Sequence, residues 1–308
     1  MKIINIFNGP QNASVIVQGC MRMPALTKEE AAKSIRTAYD AGVNFFDHAT
    51  CYGNGEAEVR FAEALLLTGI KREDIFIQSK CGIYPEKEEF DWTKESILAS
   101  VDGILSRLHI NYLDTLLLHR PDLLFDPEEV AEAFDCLEKE GKVRWFGVSN
   151  LMPMQTELLN KYVRQPLVIN QLQLSLEQSQ LIDQALYLNN KTTDMSVNRD
   201  GSVLDYCRLH DITVQAWSPL QIGMFGGTFI DNSDYPELNK VLSEIAEREN
   251  VSKAAVAVAW ILRHPAKMQT VIGTMNPVHI SEICEATNVK LSHNDWYRLY
   301  LASGKFLP

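Results

Sequence analysis

Short apolar runs alternate with longer segments of helical periodicity along most of the chain. In the longer segments, apolar residues recur three and four positions apart, which is typical of one helix face packed on a core. The apolar runs predict strands at Val43–Phe46, Ile75–Ser79, Leu113–Leu118, Val143–Gly147, Leu167–Asn170, Thr213–Trp217 and Thr270–Ile272. The periodic segments predict helices at 27–40, 56–67, 93–108, 126–141, 153–161, 203–209, 236–249, 253–264, from 277 onward, and 293–302.

Residues at the helix ends support these boundaries. Thr27 is followed three positions later by Glu30, which is a capping box, and Asp126 is followed by Pro127, an N-cap residue with proline at the first helical position. Residues 3–18 predict two short strands around a turn, which is a β-hairpin. Residues 175–201 are polar and predict a long loop with at most a short helical piece.

The order of these elements indicates the fold class. We count eight strands after the hairpin, with Val43–Phe46 numbered as the second, and helical segments alternate with them. Eight βα units within about 260 residues indicate an α/β fold, a closed (β/α)8 TIM barrel. A doubly wound sheet is the alternative, disfavoured because no strand is followed by a G-x-G-x-x-G turn. We therefore expect residues 1–308 to form one barrel domain, with the hairpin closing its bottom and the loops at the C-terminal strand ends forming the site.

The composition of the chain argues against several classes of function. Hydrophobic residues make up 46% and charged residues 22% of the chain, so it can bury a large core. The net charge of -11 argues against a nucleic-acid partner, which would require a basic surface. No apolar run reaches transmembrane length, and the N-terminus lacks the features of a signal peptide. The six cysteines are scattered without metal-binding spacing, so we expect free thiols in a cytoplasmic protein that is a monomer or small homo-oligomer.

Polar side chains stand at the C-terminal ends of the predicted strands, which converge on one site in a barrel. Four of them are ionisable and come from three consecutive strands: Asp47, Tyr52, Lys80 and His119. The later strands end in Ser149, Asn150, Gln171, Trp217, Ser218, Gly273 and Thr274. Each residue alone has a common structural explanation, such as a solvated lysine or an amide that bonds loop backbone. Four ionisable groups converging together favour an active site.

These four side chains suit the protonation of a carbonyl oxygen. Tyrosine has a pKa of about 10, and a nearby ammonium such as Lys80 is expected to lower it. Asp47 would hold Lys80 charged and oriented, Tyr52 would act as general acid, and His119 would donate a hydrogen bond to the same oxygen. No side chain can supply a hydride, so a nicotinamide cofactor is implied. Its carboxamide could bond Ser149, Asn150 and Gln171, with Trp217 stacked on its ring.

Four motifs resemble one known family. They are Asp47-His48-Ala49-Thr50-Cys51-Tyr52-Gly53, Gly141-Lys142-Val143-Arg144-Trp145-Phe146-Gly147-Val148-Ser149-Asn150, Leu116-Leu117-Leu118-His119-Arg120-Pro121-Asp122 and Gln78-Ser79-Lys80. On these motifs the chain is similar over essentially its whole length to the aldo-keto reductases, barrel enzymes that use NAD(P)H. Within that family it most resembles the bacterial YdhF-like oxidoreductases, which share the run Ala216-Trp217-Ser218.

The resemblance implies an NAD(P)H-dependent reductase of aldehydes or ketones, and it implies roles for particular residues. The family's catalytic tetrad falls on Asp47, Tyr52, Lys80 and His119. Its cofactor contacts fall on Ser149, Asn150, Gln171, Trp217, Ser218, Pro219, Leu220, Gly273, Thr274, Met275, His279 and Glu282. The adenosine end departs from the family pattern, because His279 stands where arginine is frequent and Ile283 where asparagine is common. NADPH is the family expectation, and NADH is the alternative.

Two other functions fit parts of the sequence. A cofactor-binding regulatory subunit could use the same fold with little turnover. A metal-dependent hydrolase could use His48, His119 and Asp122, although the chain lacks paired histidines and no metal is expected.

The substrate is expected to be a small carbonyl compound, held by the loops 20–26, 84–92, 121–126, 175–201, 221–231 and the C-terminal tail. The aromatic residues Trp92, Phe125, Phe225 and Phe229 suggest an apolar pocket, with the packing of a loop as the alternative for each of them. Cys51 and Cys81 flank the site; we favour a space-filling role, with redox regulation as the alternative.

Overall fold

Eight parallel strands close into a barrel in the computed structural model, which describes residues 1–186, 202–223 and 226–306. In chain order the barrel strands are β3 (Ile16–Gly19), β4 (Phe45–Asp47), β5 (Phe76–Cys81), β8 (Leu113–Leu118), β9 (Val143–Ser149), β10 (Leu167–Gln173), β11 (Thr213–Trp217) and β12 (Gln269–Ile272). Each pairs with its successor, and β12 pairs with β3 to close the ring. The predicted (β/α)8 TIM barrel is confirmed.

Helices surround the barrel, and two short hairpins complete the described elements. The helices are α1 (Lys28–Asp40), α2 (Glu56–Thr68), α3 (Lys94–Leu108), α4 (Pro127–Lys139), α5 (Pro153–Asn160), α6 (Gln180–Leu186), α7 (Val203–Leu209), α8 (Pro236–Glu249), α9 (Lys253–Leu262), α10 (Pro277–Cys284) and α11 (His293–Ala302). The hairpins pair β1 (Ile3–Ile4) with β2 (Ala13–Ser14), and β6 (Ile83–Tyr84) with β7 (Glu89–Phe90). None of the described helices is both long and apolar enough to cross a bilayer.

The predicted strand count after the hairpin needs correction. Seven barrel strands follow residue 18, and the first barrel strand, Ile16–Gly19, lies within the segment assigned to the hairpin. This strand is buried along its whole length, so it shows no alternation of polar and apolar residues that would separate it from β2. The hairpin does close the barrel: Ile6 and Ala13 are buried and pack with Phe45 and Ile169 in the interior.

Buried glutamines form a polar layer inside the barrel. Gln78 Nε2 donates to Gln215 Oε1 at 2.8 Å, and Gln215 Nε2 donates to Gln269 Oε1 at 2.9 Å. Below them lies an apolar cluster that includes Phe45 and Leu117. Because each buried amide needs a partner, this layer fixes the orientation of side chains across β5, β11 and β12. The glutamine layer lies below the side chains at the C-terminal ends of the strands and supports them.

Candidate active site

The predicted catalytic residues meet at the C-terminal end of the barrel. Asp47 ends β4, Lys80 lies within β5, His119 follows β8, and Tyr52 begins a short 3-10 turn, Tyr52–Gly55. Lys80 Nζ donates to both carboxylate oxygens of Asp47 at 2.6 Å and to the carbonyl oxygen of His48 at 2.8 Å. Lys80 is 0% and Asp47 1% exposed, so each charge depends on the other for compensation.

The carboxylate of Asp47 is also held by two amides. Gln78 Nε2 donates to Asp47 Oδ1 at 2.7 Å, and Gln171 Nε2 donates to the same oxygen at 3.1 Å. The Gln171 amide nitrogen therefore points into the barrel and also reaches Gln215 Oε1 at 3.0 Å. No described residue donates to Gln171 Oε1, so this oxygen is the atom that could bind a carboxamide.

Tyr52 lies between the buried ion pair and the cavity. Lys80 Nζ is 5.0 Å from the centroid of the Tyr52 ring, and the ring meets His119 edge-on with the centroids 6.0 Å apart. The Tyr52 hydroxyl makes no hydrogen bond to the described part of the chain. Burial raises the pKa of Tyr52 well above 10, and the negative charge of Asp47 raises it further.

The expectation that Lys80 lowers the pKa of Tyr52 is therefore wrong for this arrangement. The ammonium of Lys80 is bonded to Asp47, whose opposite charge offsets it, and desolvation of the phenol dominates. The consequence is that Tyr52 keeps its proton throughout the neutral range.

His119 is held as a neutral imidazole. Burial lowers its pKa well below 6.5, and the positive charges of Lys80 and Arg120 lower it further. Its Nδ1 lies 3.6 Å from Cys51 Sγ, and burial raises the pKa of this thiol, so Cys51 stays protonated. A neutral imidazole carries one N–H, which it can donate to a ligand.

A cavity of about 2150 Å³ opens above these residues. A drug-sized ligand occupies a pocket of roughly 300–1,000 Å³, so this space can hold a dinucleotide together with a second small molecule. All the predicted cofactor residues line it: Ser149, Asn150, Gln171, Trp217, Ser218, Pro219, Leu220, Gly273, Thr274, Met275, His279 and Glu282. Asp47, Tyr52 and His119 also line the cavity, whereas Lys80 lies behind them.

The residues at the ends of β9 and β11 form one hydrogen-bonded group. Trp217 Nε1 donates to Asn150 Oδ1 at 3.2 Å, Asn150 Nδ2 donates to Ser149 Oγ at 2.8 Å, and Ser149 Oγ donates to the Gln171 carbonyl oxygen at 2.8 Å. Asn150 and Ser218 have φ values of 61° and 54°, in the left-handed region that residues other than glycine adopt infrequently. The group presents an aromatic plane and amide groups together, which suits a nicotinamide ring and its carboxamide.

Besides Arg120, two basic residues that line the cavity were not predicted as site residues. Arg22 Nη1 donates to the Gly273 carbonyl oxygen at 2.9 Å, and Lys253, at the start of α9, forms an ion pair with Asp231. They lie with His279 and with the acidic Glu247, Glu282 and Glu285 among the lining residues. These residues come from separate loops and helices, so only the folded chain shows that they share a cavity.

Of the two roles expected for the aromatic residues, the described ones have the second: they pack loops and do not line the cavity. Trp92 and Phe229 are 0% exposed, and Phe125 packs on the Trp92 ring with centroids 5.2 Å apart, so they pack the loops together. Phe225 and most of the predicted loop 175–201 lie outside the described residues. The apolar lining comes instead from Met21, Ile83, Phe90, Leu123 and Met152.

The residues considered for a metal-dependent hydrolase do not come together. His48 is 0% exposed and packs edge-on against Phe61, and burial lowers its pKa to about 3. The carboxylate of Asp122 accepts hydrogen bonds from the backbone N–H groups of Trp92 and Leu124. Within the described ranges, no group of three His, Cys, Asp or Glu side chains could hold a metal ion.

Comparison with known proteins identifies the family. The profile of the Aldo/keto reductase family matches residues 15–300. The chain is 34% identical over 273 residues to the 6-dehydroglucose reductase of Agrobacterium fabrum, covering 86% of this chain and 84% of that protein. It is 34% identical over 286 residues to the oxidoreductase YdhF of Escherichia coli, covering 90% and 89%. The chain belongs to the aldo/keto reductase family, and the predicted resemblance to YdhF is confirmed.

A solved structure supports the same fold. The thermostable aldo-keto reductase Tm1743 superposes with a TM-score of 0.78 at 24% identity, covering 98% of this chain and 100% of that chain. The family places this protein among the oxidoreductases that act on carbonyl compounds with nicotinamide cofactors.

The environments of the six thiols give a testable expectation. Four cysteines are buried, and burial raises the pKa of Cys81 to about 12, whereas Cys51 and Cys136 are partly exposed. Iodoacetamide should therefore modify only Cys51 and Cys136 in the native protein, and Cys136→Ser should leave Cys51 as the single labelled site. Peptide mass spectrometry measures this. Modification of Cys81 in the native protein would contradict the described packing and would favour the alternative that Cys81 is redox-sensitive.

Proposed function

We propose that this protein is an NAD(P)H-dependent reductase that converts aldehydes or ketones to alcohols. The observation that carries the proposal concerns Tyr52. Its hydroxyl makes no hydrogen bond to the described part of the chain, and the residue lines a large cavity beside the buried Lys80–Asp47 pair and neutral His119. We further propose that residues 1–308 act as one domain on a small-molecule carbonyl substrate.

Tyr52 would donate the proton. Its raised pKa keeps the phenol protonated at neutral pH, and an alkoxide developing on the substrate oxygen is basic enough to take that proton. The phenolate that remains lies near the ammonium of Lys80, which stabilises it only in part because Asp47 binds this ammonium and holds it in position. The N–H of neutral His119 would donate a hydrogen bond to the same substrate oxygen and orient it.

The cofactor would be held by the residues that line the rest of the cavity. Ser149, Asn150 and Gln171 Oε1 offer groups for the carboxamide, and Trp217 offers a plane for the nicotinamide ring. When bound, the reduced nicotinamide supplies the hydride. At the far end, Lys253 and His279 support the family expectation of NADPH, and the acidic residues there keep NADH as the alternative. Assays with both dinucleotides decide this point.

The alternative of a regulatory subunit is disfavoured by the same observation. A tyrosine hydroxyl that faces the cavity without a hydrogen bond to the described chain, beside a buried ion pair and a neutral imidazole, favours proton transfer over binding alone. A screen of aldehydes and ketones with NADPH and NADH, followed by the absorbance of the reduced nicotinamide, separates the two functions. Tight dinucleotide binding without turnover of any carbonyl compound would favour the regulatory subunit.

Tyr52→Phe tests the proton donor. Removing one hydroxyl should lower kcat for carbonyl reduction by about 10²- to 10⁴-fold, the usual contribution of general acid catalysis, and leave dinucleotide affinity largely unchanged. Steady-state kinetics and quenching of tryptophan fluorescence by the dinucleotide measure the two quantities. Tyr206→Phe is the matched control, because its hydroxyl contacts Glu157 outside the cavity. Normal turnover by Tyr52→Phe would refute the assignment.

The pKa shifts predict the pH dependence of reduction. The reaction needs protonated Tyr52 and neutral His119. Tyr52 loses its proton only above its usual value of 10.0, and His119 gains one only below its usual value of 6.5. The kcat for reduction should therefore be constant from about pH 6.5 to about pH 9.5, with the losses outside that window. A rise or fall of kcat with its midpoint between pH 7 and pH 9 would show that another group controls the proton transfer.

A further inference from the structure

Arg120 directly follows His119 and lines the cavity, where its side chain is partly buried. Its guanidinium lies 5.8 Å from the centroid of the Trp217 ring. It makes no hydrogen bond or ion pair with the residues that the structure describes. Other arginines differ: Arg72 and Arg144 both bond the buried carboxylate of Asp114, and Arg107 bonds Glu58.

Two carboxylates of this part of the chain, Asp47 and Asp122, already have partners. Asp47 is neutralised by Lys80, and both oxygens of Asp122 accept backbone N–H groups. Burial lowers the pKa of Arg120, so its charge is partly desolvated, and no carboxylate of the described residues pairs with it. A guanidinium in this position has donors that it can offer to a ligand in the cavity.

The electrostatics of this end of the cavity also favour the binding of an anion. His119 is neutral and the Asp47–Lys80 pair carries no net charge, so Arg120 gives the region around Tyr52 a positive charge. The whole chain carries a net charge of -11, and the other arginine and lysine of the cavity, Arg22 and Lys253, already have partners. A local positive charge in a cleft attracts an anion against that background.

We propose that Arg120 binds an anionic group, a carboxylate or a phosphate, on the substrate, so that the preferred substrates are carbonyl compounds that carry a negative charge. The inference rests on the proposed reductase function and deepens it. The guanidinium can bond two oxygens of such a group at once. Phe90 and Leu123 line the same cavity and offer apolar contact to the carbon skeleton between the anion and the carbonyl.

The test compares substrates that share the same aldehyde and either carry or lack an anionic group. 4-Formylbenzoate and its methyl ester share the ring and the aldehyde, and glyceraldehyde 3-phosphate and glyceraldehyde form the phosphate pair. We expect kcat/KM of the wild type to be at least about tenfold higher for the charged member of one pair. Arg120→Met should bring that ratio to about 1, mainly by raising KM for the anion, and Arg120→Lys should restore part of it. Which pair shows the preference separates carboxylate from phosphate recognition.

Two controls isolate the role of Arg120. Arg36→Met removes the same charge from α1, where Arg36 pairs with Asp40 at the surface, and it should leave the ratio unchanged. Dinucleotide affinity should also be unchanged in Arg120→Met. A wild-type ratio near 1 in both pairs would overturn the inference. So would an equal loss for charged and neutral substrates, which would indicate that Arg120 only supports Trp217.

Binding without turnover separates this inference from the proposed function. Benzoate has no carbonyl to reduce, and calorimetry should show that it binds the wild type in the presence of oxidised dinucleotide and binds Arg120→Met at least about tenfold more weakly. If no aldehyde is reduced but benzoate binding depends on Arg120, the reductase proposal fails and the anion site stands. If aldehydes are reduced without a preference for the phosphate pair and benzoate binds both proteins equally, the anion site fails and the reductase stands.

Discussion

Lys80 and Asp47 form a buried ion pair that constrains both the register of the barrel strands and the charges at the site. Two fully desolvated charges are stable only when the geometry is close and the remaining hydrogen bonds are made. Here the carboxylate is reached by the ammonium and by the amides of Gln78 and Gln171, so β4, β5 and β10 must all be in register. The closed barrel meets this requirement, since the side chains of distant strands meet in its interior.

The same pair organises the protonation states of the site. Because the ammonium is neutralised locally, it does not turn Tyr52 into a phenolate, and burial keeps the phenol proton in place. Burial also keeps His119 neutral. The proton donor and the hydrogen-bond donor are thus ready without a ligand, while Arg120 is the positive charge near them that has no partner in the described chain. The chemistry and the proposed substrate preference both follow from how these charges are compensated.

The sequence predicted the elements best where local chemistry specifies them. The capping box at Thr27 and the Asp126-Pro127 start mark the observed ends of α1 and α4, and the strand Leu113–Leu118 has the predicted bounds. The prediction of strands failed for Ile16–Gly19, because this strand is buried throughout and shows no alternation of polar and apolar residues. The four catalytic candidates were found because parallel strand ends must converge.

Other features depend on three-dimensional packing and could not be predicted. The direction of the Tyr52 pKa shift depends on how far Asp47 offsets Lys80, which is a matter of distances. Trp92 and Phe229 were expected in a pocket, but nothing in a sequence tells an aromatic that packs a loop from one that faces a cavity. Arg120 stood within a recognised motif, and its lack of a partner appears only when every neighbouring carboxylate has been assigned.

A double-mutant cycle on the rate of hydride transfer decides whether Asp47 acts through Lys80. Single-turnover reduction of an aldehyde would be followed at the reduced-nicotinamide absorbance in the wild type, Asp47→Asn, Lys80→Met and the double variant. If Asp47 serves only to hold the ammonium, the double variant should react no more slowly than Lys80→Met alone. Losses that add in the double variant would show that the two residues act independently, and would contradict this account.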